Sequence, residues 1–155
     1  MAFAFIDKEI EATNDSIVNK SDTQKLSQII RKAQLLLGNI GVKVDPNDII
    51  FEIVNKEEIK HLCSDFENVV GFTCPISIEG KCHKIWLLED RPYILLLSVV
   101  THEMGHTWCR KQGIKFSKME EEGFCELLGY HILSTQYSKQ GNIWMERMIQ
   151  NPDII

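Results

Sequence analysis

Thr101-His102-Glu103-Met104-Gly105-His106-Thr107-Trp108 is the stretch on which the reading of this chain turns. Two histidines four apart on a helix lie on one face, one turn above the other, so both imidazoles can reach a single ion. Glu103 follows the first histidine directly and falls at the edge of that face. There it can take a proton from a metal-activated water without being a ligand itself. The residues leading into the motif, 94–97 with Val99 and Val100, are apolar on every side. A helix that is hydrophobic all round belongs in a core, so the same helix is expected to carry the ligands and the core together.

Fourteen residues after His106, Glu120-Glu121-Glu122-Gly123-Phe124-Cys125-Glu126 opens a second helical pattern. Catalytic zinc sites use three protein ligands and keep one position for water, whereas structural sites close with four. Two histidines and one carboxylate make such an open site, and Glu122 is the expected third ligand. Glu120 and Glu121 read as a solvated acidic first turn that meets the positive end of the helix. Gly123 is expected to let this helix approach the first closely. Glu126, four residues after Glu122 and on nearly the same face, is expected to accept a hydrogen bond from the far ring nitrogen of a ligand histidine and so fix its tautomer.

The motif followed by Glu-Gly-Phe on the next helix resembles the gluzincin metallopeptidases. The stretch 101–108, then Glu121-Glu122-Gly123-Phe124-Cys125, then Leu127-Leu128, is similar to a narrower group, the peptidase domain of the plant LIM-domain growth-regulator peptidases often called "Da-one". The resemblance covers residues 85–133. It implies a zinc-dependent endopeptidase with His102, His106 and Glu122 as ligands and Glu103 as base. The plant proteins also carry ubiquitin-interacting and LIM segments. This chain has no Cys-x-x-Cys pair for a LIM zinc site, so ubiquitin-linked regulation is not carried over and a stand-alone peptidase domain is the expectation.

Composition sets the frame. With 155 residues, 44% of them hydrophobic, the chain reads as one domain with enough length for a core. A net charge of −5 argues against a nucleic-acid surface, which is usually basic. No apolar run approaches the ~18 residues of a membrane span. The apolar start at residues 1–6 gives way to Asp7, Glu9 and Glu11 and lacks the basic region of a secretory signal, so a cytoplasmic protein is expected. Five cysteines, an odd number, suit reduced thiols. Cys74 and Cys82 flank a turn and could meet as a disulfide, or join His83 in a second metal site; the plainer reading is buried thiols. Cys109 and Cys125 are expected to pack rather than ligate.

Residues 1–20 read as a weakly structured lead-in and 21–155 as the single domain. Ser21-Asp22-Thr23-Gln24 looks like a capping box, with Ser21 as cap. Leu26, Ile29, Ile30, Ala33, Leu36 and Leu37 follow helical spacing and Gly38 is the stop signal. After the turn Asp45-Pro46-Asn47-Asp48, residues 49–54 read as a buried strand, 56–63 as a short helix, and 69–73 and 83–88 as strands around Glu79-Gly80. Arg91-Pro92 opens the motif helix, which Gly113 stops. Residues 120–137 form the second site helix; Gly141 breaks it and 143–149 form a short last helix. The expected fold is α+β: a zincin-like small mixed sheet, the motif helix, and a second helix carrying the glutamate ligand.

Peptide hydrolysis builds negative charge on the carbonyl oxygen, and a donor beside the metal stabilises it. Tyr130 is the first candidate, with Tyr137 and His83 behind it; His131 falls nearly opposite Glu122, and Trp108 and Trp144 read as core. The strand at 83–88 directly precedes the motif helix and is expected to take an extended polypeptide substrate as an added strand. The leading reading is a zinc peptidase acting on polypeptides, with neither nucleic acid nor membrane as partner. The alternative is a metal-binding regulatory domain, or a catalytically inactive protein-binding domain, of the same fold.

Overall fold

A computed structural model describes residues 16–63 and 69–136. Of the lead-in expected at 1–20, residues 1–15 lie outside the described residues, as do Tyr137, Trp144, Gly141 and the helix expected at 143–149; Ile17–Val18, inside that lead-in, form a paired strand. The chain runs β1 (Ile17–Val18), α1 (Thr23–Asn39), a 3₁₀ turn (Pro46–Asp48), β2 (Ile49–Val54), α2 (Lys56–Leu62), β3 (Gly71–Ile78), β4 (Lys81–Leu88), β5 (Arg91–Pro92), α3 (Tyr93–Gln112) and α4 (Lys118–Thr135). Among the described residues the result is a mixed α+β fold with small sheets and four helices. No described helix is long and apolar enough to cross a membrane.

The main sheet has the order β2-β4-β3. β4 pairs parallel with β2, from Ile49 opposite His83 to Val54 opposite Leu88. It pairs antiparallel with β3 on its other side, with Gly71 opposite Leu87 and Thr73 opposite Ile85. The strand expected to receive a substrate is therefore internal, paired on both edges, and that expectation is wrong. The reason was present in its composition: Ile85-Trp86-Leu87-Leu88 is a continuous apolar run, the pattern of a strand covered on both sides.

α3 is the centre of the molecule. Every residue from Tyr93 to Thr107 is buried, and the helix packs against α1, α4, β3 and β4. Ile29, Ala33 and Leu37 of α1 and Ile85 and Leu87 of β4 are fully buried in the same core. β1 and β5 anchor the start of α3: Ile17 pairs with Pro92 and Val18 with Arg91, and the Tyr93 N–H donates to the Ser16 carbonyl at 2.8 Å. At the far end Gly113 adopts the left-handed conformation (φ 66°) that ends the helix, as its sequence position suggests.

Three local expectations are corrected. The cap of α1 is Asp22, whose side chain makes no capping bond to the helix. Instead it accepts from the Asn19 N–H, and the Ser21 hydroxyl donates to the Asn19 side chain. Gly38 does not stop α1, which continues to Asn39 and gives way to a left-handed Gly41 (φ 86°). Gly123 has open space beside it; the close approach of α4 to α3 belongs to Gly105 and Gly129. A Cβ on Gly105 would stand 2.9 Å from both Cys125 Sγ and Leu128 Cδ1, and one on Gly129 would stand 3.0 Å from Ser98 Oγ. The two helices cross there because neither glycine holds them apart.

Candidate metal centre

The site forms where α3 and α4 face each other. α4 starts with a capping box: Ser117 Oγ accepts from the Glu120 N–H at 3.1 Å, and the Glu120 carboxylate accepts from the Ser117 N–H at 2.9 Å. The box uses donors that have no partner inside the helix and fixes its first turn. It also gives Glu120 a role that the reading as a solvated acid had missed. The next two residues, Glu121 and Glu122, then project toward α3.

His102, His106 and Glu122 come together as the sequence suggests. Each offers a ligand atom, all within 4.8 Å of one another, and they form a group able to hold a metal ion among the described residues. His102 Nε2 lies 3.4 Å from Glu122 Oε2, and His106 Nε2 lies 3.1 Å from Glu122 Oε1. The two imidazole rings are 5.2 Å apart between centroids, edge to face. Both histidines are buried, whereas the Glu122 side chain is 46% exposed, so the group has a covered side and an open one. The bonds from His102 and His106 hold the Glu122 carboxyl well below the usual carboxylate range.

Glu121 is the residue that sequence reasoning passed over. Its Oε2 lies 2.6 Å from His106 Nδ1, so two successive carboxylates grip one imidazole from both nitrogens. Burial pulls the His106 pKa down, but Glu122, Glu103 and Glu121 outweigh it and push it up to about 9. A carboxylate on the far nitrogen of a ligand histidine fixes its tautomer and raises its basicity. That was the role foreseen for Glu126. Glu126 is half-buried, and the far nitrogen of His106 belongs to Glu121, while His102 Nδ1 has no hydrogen-bond partner among the described residues. The adjacency of Glu121 to Glu122 was the available signal, but a helical wheel places the two side chains 100° apart and gives no reason to join them.

Glu103 is 6% exposed, an acid inside the core beside the two histidines. The Thr73 hydroxyl on β3 donates to its Oε2. Tyr130 is half-buried and packs against the hydrophobic core, and His131 is exposed. Trp108 also packs against the core and stacks on Phe124 at 5.6 Å. His83 is buried on β4, where desolvation first, and then the charges of Arg110 and Lys111, lower its pKa.

None of the five cysteines is in a disulfide. Cys74 stands opposite Lys84 in the β3–β4 ladder, and Cys82 and His83 point to opposite faces, so the second metal site does not assemble. Cys109 and Cys125 are fully buried, and burial foremost raises both thiol pKa values, with Glu121 adding to the effect. Neither thiol belongs to the group able to hold a metal ion among the described residues, and both pack in the interior.

Comparisons with known proteins give the chain its relatives. The profile of the family described as "DA1-like: Protein DA1" matches residues 51–150. "Protein DA1-related 7" of Arabidopsis thaliana is 37% identical over 67 residues, which is 41% of this chain and 12% of that protein's length. The chain thus corresponds to a small part of that relative. No solved structure matches the chain.

Proposed function

Because the chain belongs to the DA1-like family, we propose that it is a zinc-dependent peptidase of zincin-like arrangement, cleaving polypeptides with Glu103 as general base. The observation that carries this reading is the convergence of His102, His106 and Glu122 on one point with the buried Glu103 beside them.

The donor set suits zinc. Zn–N and Zn–O bonds of about 2.0–2.1 Å place tetrahedral ligand atoms about 3.3–3.4 Å apart. The 3.4 Å and 3.1 Å separations between Glu122 and the two imidazoles are of that size. Two imidazoles and one carboxylate, with no fourth His, Cys, Asp or Glu in the group among the described residues, leave a coordination position open. A bound zinc would bring the pKa of its water to about 7 and polarise a substrate carbonyl.

The chain's own residues supply the remaining parts. With a zinc bound, Glu121 would hold His106 in the tautomer that leaves Nε2 to ligate. Glu103 accepts a proton from the attacking water and delivers it to the leaving amine, the two duties of one general acid–base group. A closed structural site has no use for such a base, which favours catalysis over the regulatory or protein-binding alternative. Among the described residues the outer edge of β3 has no partner strand. Its backbone groups are available to an extended polypeptide, next to the strand residue that holds Glu103.

The test is incubation of the zinc-loaded protein with an unbiased peptide mixture, read by mass spectrometry, with Glu103→Gln as control. New termini that require both zinc and Glu103 are expected. A zinc-loaded wild-type protein that produces none would contradict the proposal.

A further inference from the structure

We propose that Thr73 is the positioning residue for Glu103, with β3 acting as the arm that carries it. The inference rests on the peptidase reading and adds to it a residue outside both the motif and the second site helix.

Glu103 has a problem that its helix does not solve. A buried carboxylate is costly unless its oxygens accept hydrogen bonds. A glutamate side chain also has three rotatable torsions by which to drift from the reacting atoms. Among the described residues, Thr73 is the hydrogen-bond partner of this carboxylate, reaching Oε2 from thirty residues away in sequence. With Oε2 held, Oε1 remains to take a proton, and the plane of the carboxylate is fixed.

The strand is built for that contact. Thr73 and Gly71 lie on the β3 face that meets α3, since alternate residues share a face. A Cβ on Gly71 would stand 2.3 Å from Val99 Cγ1 and 3.5 Å from Glu103 Cγ, so the strand presses on α3 at the turn that carries the base, in a place that admits no side chain. Pairing of Gly71 with Leu87 and of Thr73 with Ile85 ties the arm to the central strand, whose Ile85 and Leu87 are fully buried. Thr73 is itself buried, and its hydroxyl occupies a position where valine would have the same shape. The hydroxyl is what distinguishes the two, and Glu103 is what it serves.

The experiment compares zinc-loaded wild type, Thr73→Val and Thr73→Ser on one cleaved peptide, with zinc content measured for each. Thr73→Val is expected to keep zinc and KM and to lose about 10- to 100-fold in kcat, the scale of a misplaced catalytic group. Thr73→Ser, which keeps the hydroxyl, is expected to restore most of it. The contact is read separately, without activity, from the melting temperatures of the metal-free proteins. Thr73→Val is expected to lower Tm in wild type, by stranding a buried carboxylate, and to have almost no effect in a Glu103→Ala background. Cleavage by wild type together with a Thr73→Val kcat within twofold overturns the positioning role and leaves the peptidase reading standing. Equal Tm losses in both backgrounds overturn the contact itself. A zinc-loaded wild type that cleaves nothing overturns the peptidase reading, and the positioning role with it, while the Tm comparison still reports on the contact.

Discussion

α3 and α4 contribute to the same site under opposite constraints. α3 delivers His102, Glu103 and His106 from a helix buried along fifteen successive residues. α4 delivers Glu121 and Glu122 from a helix whose other faces are open, with Met119 85% exposed and Leu127 66% exposed. On α3 each site residue is also a core residue, so position follows from packing. On α4 the acids are held by a capping box and by charge, and the Glu122 side chain stays half in solvent. A site divided this way has two buried imidazoles and the proposed base on one side and a half-exposed carboxylate at the opening. Substitution of Glu103 on α3 should therefore act on chemistry and of its apolar residues on the fold, whereas substitution of His102 or His106 on α3, or of the acids on α4, should act on metal affinity.

The largest expected effect is on α3. Glu103→Gln should lose about 10²- to 10⁴-fold in hydrolysis, the usual cost of a general base, while keeping its zinc. Loss of metal in this variant, measured by elemental analysis, would remove Glu103 from the role of base. On α4, Glu121→Gln should weaken zinc binding by about 10- to 100-fold, because a partner that orients a ligand histidine contributes on that scale. Chelator competition measures it, and an unchanged affinity would mean that the 2.6 Å contact with His106 does nothing for the ion.

Two glycines sharpen the contrast through stability alone. Gly105→Ala places a methyl against Cys125 and Leu128 and should destabilise by about 1–3 kcal/mol, as overpacking does. Gly123→Ala meets nothing within 4 Å and should stabilise by about 0.5–1 kcal/mol, since alanine is the better helix former. Denaturant titrations giving both changes the same sign would break the assignment of the helix contact to Gly105.

The smallest effect is a proton. In the metal-free protein the pKa of His106 is raised from 6.5 to about 9. Its contribution to stability is then fully present below pH 6.5 and is lost as the pH rises through about 9. Zinc must displace that proton, so binding at pH 7.5 should release about one from this residue. Calorimetry in buffers of different ionisation enthalpy reads the number, and a release near zero would show that His106 is already neutral.

Much of the fold was legible because local signals agreed with it. The uniformly apolar entry to the motif marked α3 as central, and Gly113 marked its end. The boundaries at β2 and α2 follow turn and capping residues adjacent in sequence, such as Asn55 with Glu58. The histidine pair of the candidate site was legible because one helical turn separates His102 from His106, and Glu122 because an acidic stretch opens the next helical pattern. What escaped depends on contacts across the fold. Thr73 meets Glu103 only once β3 is placed, and no spacing rule reaches thirty residues. Glu121 depends on how far α4 is rotated about its axis, which the crossing at Gly105 and Gly129 sets. The position of β4 just before the motif helix suggests an edge, whereas its unbroken apolar run argues for the middle of the sheet, where it lies.

The most direct test of the shared site is zinc K-edge X-ray absorption on the zinc-loaded protein. The expected spectrum has one zinc per chain, nitrogen and oxygen neighbours at about 2.0–2.1 Å that include two imidazoles, and no sulfur. A sulfur neighbour at about 2.3 Å, or a protein that retains no zinc, would contradict a centre built from His102, His106 and Glu122.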